Sequence, residues 1–291
     1  MATKTSLLGL TKPAYTEAAD IAVLNTNFDL IDKAVGNGKS VRQELDNSWF
    51  INPINQRGRT TYSNGYTIDR WSLLYNDVST LSVTSDGLKF TSGSGDCWLL
   101  QRFERSLKVG APYTFAVQYA DGTKDVISVN VTAASTYIQG AHCIYSISNA
   151  HFAIVGRDIP NGIVIQWAAL YEGEYTADTL PAYVYKGYAA ELAECMRHYQ
   201  VFGKKRLVQS TQPNGGFSIS ERFAIPMRVA PTITGTYVAW STVASGNTVV
   251  EQTAALATSE SRADGFRGYY TVGIATELMM LDYAFAASAD L

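Results

Sequence analysis

The chain has 291 residues, 46% of them apolar and 17% charged, with a formal net charge of −3. That length predicts about two domains with room for three small ones, and the low charge, against roughly 25% in ordinary soluble chains, leaves a surface of Ser, Thr, Asn, Gly and Tyr. A weak negative balance collects neither nucleic acid nor an anionic membrane, so neither partner is expected.

The first 20 residues hold a four-residue apolar patch rather than a signal peptide's longer core. No run of about 18 apolar residues follows, so the expectation is synthesis in the cytoplasm without membrane insertion. Periodicity predicts a helix over 14–35. Ile21, Leu24, Phe28, Ile31 and Val35 recur at spacings of three and four, an a/d seam of about two heptads. Thr16 or Asp20 suits the cap, and Gly36, Asn37 and Gly38 suit the stop. The other faces carry Asn25, Thr26, Asn27, Asp29 and Asp32, so one narrow stripe is all that this helix can bury. A helix of this length is marginal alone. Packing on its own downstream domain and self-association both remain open, with self-association favoured because no second long helix lies nearby in sequence.

After a polar link at 36–48, the stretch 52–71, NPINQRGRTTYSNGYTIDRW, concentrates turn formers and arginines. It leads the chain from a helical stalk into a sheet. Period-two or continuous apolar runs then follow at 81–90, 113–122, 125–133, 143–155 and 162–173, punctuated by Gly, Asp and Asn, which argues for an antiparallel sandwich. A second helical signal covers 186–202, with Leu192, Cys195, Met196 and Tyr199 on one face. Beyond it, 217–226, 231–240, 247–256, 265–274 and 278–291 read as strands again, with Pro226 and Pro231 confining their neighbours to edges or turns.

Chemistry is sparse. Cys97, Cys143 and Cys195 are odd in number and far apart, which predicts buried reduced thiols rather than a disulfide framework. His142, His151 and His198 show no zinc spacing, so no metal and no cofactor are expected. Glu172, Glu174 and Asp178 cluster in what reads as a solvated loop, and neither a G-x-S-x-G elbow nor a phosphate-binding glycine loop occurs. No catalytic residue is therefore assigned. Aromatic side chains are the other route to a ligand, because sugar rings stack on them. Trp71, Trp98 and Trp167 lie in apolar runs and are expected in the core. Trp240, Arg267, Tyr269 and Tyr270 lie among Gly and Ser and form the candidate glycan-binding set.

Three groups of segments carry a family resemblance. LLGLTKPAYTEAADIAVLNTNFDLIDKAVG resembles the N-terminal attachment segment of tail proteins of bacteriophages and prophages. NSWFINPINQRGRTTYSNGYTIDRW, with DCWLLQRFE and GAPYTFAVQYADG, is similar to a carbohydrate-binding-like sandwich of tail fibres. ELAECMRHYQVF, FAIPMRVAPTITGT and AFAASADL resemble the C-terminal module of the same proteins. The resemblance implies a homotrimeric receptor-binding fibre of the virion tail. Its N-terminus would dock on a tail or baseplate protein, and its distal end would meet a bacterial surface glycan. It brings no catalytic residue.

The expected fold is thus mainly β with short helices. Residues 1–47 are an attachment segment and helical, coiled-coil trimerisation neck; 48–185 an antiparallel, jelly-roll-like β-sandwich; 186–204 a linker helix; and 205–291 a C-terminal β-sandwich and receptor-binding tip. In a homotrimer the seam residues face one another. The seam is short and no repeated shaft follows, so the fibre is stubby. Arg57, Arg59 and Arg70 are expected to bond Asp46, Asp69 or a neighbouring subunit. A glycan-degrading tailspike and a purely structural baseplate or neck fibre are the alternatives.

Overall fold

The computed structural model describes residues 3–5, 10–14, 20–38, 42–74, 78–210, 216–242, 257–271 and 278–290. At the N-terminal end β1 (Thr3–Lys4) and β2 (Thr11–Lys12) pair as a small hairpin beside α1 (Ile21–Gly38). Asn27 of α1 grips β2 through both amide groups, accepting from Thr11 N–H at 2.8 Å and donating to Thr11 C=O at 2.9 Å. Asp20 caps α1, its carboxylate accepting the Ala22 N–H at 2.8 Å, which supplies one of the orphan donors of the first turn. The helix therefore starts later than the periodicity predicts. It also continues through Gly36–Gly38, which form its last turn instead of its stop.

The central body is a sandwich of twelve strands. These are β3 (Thr61–Tyr62), β4 (Gly65–Tyr66), β5 (Ser72–Leu74), β6 (Thr80–Thr84), β7 (Gly87–Ser92), β8 (Cys97–Arg102), β9 (Pro112–Tyr119), β10 (Lys124–Asn130), β11 (Thr136–Gln139), β12 (Ile144–Ile147), β13 (His151–Gly156) and β14 (Ile159–Glu172). One antiparallel sheet runs in the order β10-β9-β14-β7-β6-β3 and the other β11-β12-β13-β8-β5-β4. The apolar runs at 81–90 and 143–155 are each a hairpin, turning at Ser85-Asp86 and at Ser148-Asn149-Ala150, rather than one strand. Turn residues inside an alternating run reverse the chain without breaking the in-out pattern of its flanks.

Between the sheets lies one core that includes Leu99, Phe115, Tyr145, Phe152, Phe50 and Trp71, all fully buried. Trp71 packs edge-on against Phe50 at 5.3 Å, and its indole N–H donates to the carbonyls of Asp46 and Asn47. The expectation for Trp71 holds; Trp98 meets it in part, packing against a small outer cluster of buried Leu100, Ala153 and Val155, and Trp167 does not meet it. Both are half-buried on outer faces, because Leu99 and Ala168 beside them take the inward positions of their strands.

The chain then forms α2 (Tyr188–Met196), shorter than predicted because residues 199–202 already belong to the next strand. The buried face of α2 is led by Glu191 and Cys195, not by Leu192 and Met196, which are half-buried. A smaller sandwich follows, of β15 (Tyr199–Ser210), β16 (Gly216–Arg222), β17 (Thr232–Thr242), β18 (Ala257–Arg262), β19 (Gly265–Thr271) and β20 (Leu278–Ser288). Its sheets run β15-β20-β17 and β16-β19-β18. They enclose a second core in which Phe285 stacks on Phe202 at 4.3 Å and meets Phe266 edge-on at 4.5 Å. The predicted strand 247–256 lies outside the described residues. The three cysteines are buried and free, as expected.

Gly87 opens β7 with φ at 137°, and a Cβ there would overlap the Ile165 carbonyl oxygen on the neighbouring strand. Gly87→Ala adds backbone strain to a clash with backbone that cannot yield. The expected cost is about 3 kcal/mol, or a fall in Tm of about 10 °C by circular dichroism. A change below 2 °C would show that β7 and β14 are not held at this spacing.

Candidate functional site

The segment 46–71 builds the junction between the two sandwiches, and three of its side chains do most of the joining. Asn47, at φ 49°, donates its amide to the carbonyls of Ile54 and Asp69 and accepts the Ile54 N–H at 2.7 Å. This fully satisfied Asn folds the loop into a ring, and its own backbone N–H reaches Glu191 of α2 at 2.9 Å. Burial raises the pKa of Glu191, a carboxylate that accepts from backbone on the far side of the junction.

Arg57 is the second connector. Its guanidinium donates to Asp69 at 3.2 Å and to Asp290 at 2.7 Å, and it lies 3.9 Å above the Tyr199 ring. Gln56 donates both to Asp69 and to the Tyr199 carbonyl at 2.7 Å. Burial pushes the Asp69 carboxyl up to about 6, against the lowering effect of Gln56 and Arg57.

The third connector, Arg70 at φ 72°, donates to Asp46 at 3.1 Å, to the Arg102 carbonyl at 3.0 Å, and to His198 Nδ1 at 3.3 Å. Because a guanidinium only donates, His198 Nδ1 accepts and the ring proton sits on Nε2, facing Glu104 at 3.6 Å. Burial, then Arg70, holds His198 down to about 3, so it stays neutral. The expected bonds of Arg57 and Arg70 to Asp69 and Asp46 are formed within one chain. Arg59 takes part through its backbone carbonyl, which accepts from Asn55.

Beside the junction opens a cleft of about 950 Å³. Four of its five cations are matched by carboxylates, Lys186 with Glu194 at 2.7 Å, Arg197 with Glu104 at 2.6 Å, Arg70 with Asp46, and Arg42 with Glu44 at 3.6 Å; Arg105 is the fifth. Such walls carry one cation in excess of their carboxylates, and the four pairs suit joining two modules. Glu172 stands on the rim of an adjoining recess, and with Glu174 and Asp178 it is exposed. Among the described residues, no group of three or more His, Cys, Asp or Glu is placed to hold a metal.

No family model and no curated protein matches this chain. Among solved structures, recombinant discoidin II of Dictyostelium discoideum aligns over 85% of this chain and 94% of its own, at 14% identity and a TM-score of 0.23. That likeness is too slight to carry an argument.

The residues assigned from sequence fall in two places. Ile21, Leu24, Phe28 and Ile31 line α1 at 71%, 39%, 64% and 38% exposure, so within the described residues nothing covers the ridge they form. Val35 lies in the last turns of α1, and its side chain is outside the described residues. Of the glycan-binding set, Trp240 sits in β17 of one three-stranded sheet, while Arg267, Tyr269 and Tyr270 sit in β19 of the other. Arg267 and Tyr269 are exposed on the same face of β19; the side chains of Trp240 and Tyr270 are outside the described residues. The structure thus divides the four between two sheets.

Sequence reasoning missed a different aromatic group, Trp98, Tyr137 and His151, on the outer face of the sheet β11-β12-β13-β8-β5-β4. Its signal was present: in CWLLQR the strand period that sends Leu99 inward sends Trp98 out.

Proposed function

We propose that this chain is the subunit of a homotrimeric tail fibre of a phage or prophage-derived particle. Its N-terminal segment docks on the tail or baseplate, and its β modules meet a bacterial surface glycan without catalysis. One observation carries the reading: α1 shows four large apolar side chains on one stripe, at 38% to 71% exposure among the described residues. Burying half-exposed residues of this size stabilises by about 1 kcal/mol each, hence about 12 kcal/mol for three helices. That is comparable with the loss of freedom on association, so the seam fixes register while further contacts share the load. Three weak sites on one rigid body then bind through effective concentration.

The full chain is expected to run by light scattering at three times the 31.7 kDa subunit mass. Phe28→Asp, which puts a charge in the seam, is expected to give monomer at micromolar concentration with both cores still folded. A monomeric wild-type chain would sink the proposal. Release of sugar from host polysaccharide would favour the tailspike alternative instead.

A further inference from the structure

On the outer face of the sheet β11-β12-β13-β8-β5-β4, Trp98, Leu74 and Ile144 pack over a small cluster of buried Leu100, Ala153 and Val155. In one row across the sheet Tyr137, Ser146, Ala153 and Leu100 are in register. Ser146 and Ala153 are small and fully buried, so they make a low floor. Over that floor stand three rings. Trp98 meets Tyr137 edge-on at 5.7 Å and tilts toward His151 at 6.3 Å. Tyr137 is 58% exposed, and Trp98 and His151 are half-exposed.

His151 is held in place. Ser146 Oγ lies 3.3 Å from its Nε2 and Ser148 Oγ lies 3.0 Å from its Nδ1, so the ring plane is fixed from both sides. Burial and the charge of Arg102 both lower its pKa, which keeps it neutral. Of the residues in register with the three rings, only Arg102 is charged.

These features select an occupant. A protein partner needs roughly 800 Å² on each side, whereas here Ser146, Ala153, Leu100 and Val155 between the rings are already buried and of the three rings Tyr137 is the one well exposed. A charged ligand would find one cation at the margin. A neutral sugar presents apolar C–H faces that stack on fixed rings and hydroxyls that bond to flanking amide, hydroxyl and guanidinium groups. Gln139, Tyr137 and Arg102 are exposed at that margin to supply them.

We propose that Trp98, Tyr137 and His151 form a stacking platform for a neutral glycan segment of one or two sugar rings, in the central sandwich rather than at the C-terminal tip. The inference rests on the glycan-binding part of the proposed function and moves the site.

The test applies the full-length protein, with Trp98→Ala and Tyr137→Ala, to an array of neutral and acidic bacterial surface oligosaccharides. The expected result is binding to neutral members that falls at least tenfold in each variant, with oligomer mass unchanged and Tm within a few degrees. Tyr137, being mostly exposed, keeps the test valid if Trp98→Ala does not fold. Binding that survives both variants overturns the platform but leaves the fibre reading standing, and loss through Tyr269→Ala instead would place the site at the tip. Binding to acidic members alone, or a changed oligomer mass in both variants, also overturns it. An array on which the wild-type chain binds nothing removes both the platform and the glycan-binding reading.

Discussion

Arg57→Met is expected to lower stability by about 3 to 5 kcal/mol, because it leaves two buried carboxylates without their shared cation. The Asp69 and Asp290 side chains are 1% and 2% exposed, and Arg57 itself only 13%. Asp69 ends the loop of the central sandwich, and Asp290 follows the last strand of the smaller one. The guanidinium is therefore a covalently anchored clasp between chain segments 233 residues apart. Lysine is no substitute: a single ammonium cannot bridge both carboxylates while lying flat on the Tyr199 ring, so Arg57→Lys should recover less than half of the loss. Adding Asp290→Asn to Arg57→Met removes one orphaned charge and should restore part of it. Thermal unfolding gives the magnitude, and limited proteolysis shows whether the two sandwiches come apart before either core melts. A loss under 1 kcal/mol, or an unchanged cleavage pattern, would mean that the junction is held by Asn47 and Gln56 instead.

That clasp was partly legible in the sequence. Arg57, Arg70, Asp46 and Asp69 lie within one short stretch, so their pairing is local enough to expect. Asp290 and His198 are invisible by that route, since only the fold brings them to the same place. The same contrast runs through the architecture. Strand alternation located most strands, because burying one face imposes period two on each strand separately. It failed where that period fits several structures: 81–90 and 143–155 read as single strands, and 199–202 read as helix until β20 supplied their ladder partners. The stripe of Ile21, Leu24, Phe28 and Ile31 on α1 was legible, though the ends of the helix were not, because an apolar stripe on an otherwise polar helix is written in spacing alone. The outer aromatic group was not. Trp98, Tyr137 and His151 come from three strands, and only the register of β11, β12, β13 and β8 puts them side by side.

Between pH 4 and 6 the contributions of two junction groups to stability are expected to oppose and nearly cancel each other. Asp69 has its carboxyl raised to about 6 from 3.8, so the folded chain holds a proton that the unfolded chain has released. Its contribution is present at low pH and lost as pH rises through about 6. His198, held down to about 3 from 6.5, does the opposite. The unfolded chain takes up a proton that the folded one refuses, so this contribution is present above 6.5 and lost as pH falls toward 3. Each is worth about 1.4 kcal/mol per pH unit within its window, and the windows overlap from about 4 to 6. Single substitutions uncover each slope. His198→Asn keeps an acceptor for Arg70 near the Nδ1 position but does not titrate; relative to wild type it should gain about 3 kcal/mol on going from pH 6 to pH 4. Asp69→Asn should lose about 3 kcal/mol over the same interval, beyond a constant penalty for setting its amide against the Gln56 donor. Glu44 and Glu191, also raised by burial, titrate alike in all three proteins and cancel in the differences. Guanidinium unfolding at several pH values reads the slopes. If the three curves run parallel, the junction is open to water and neither group is shielded as its geometry implies.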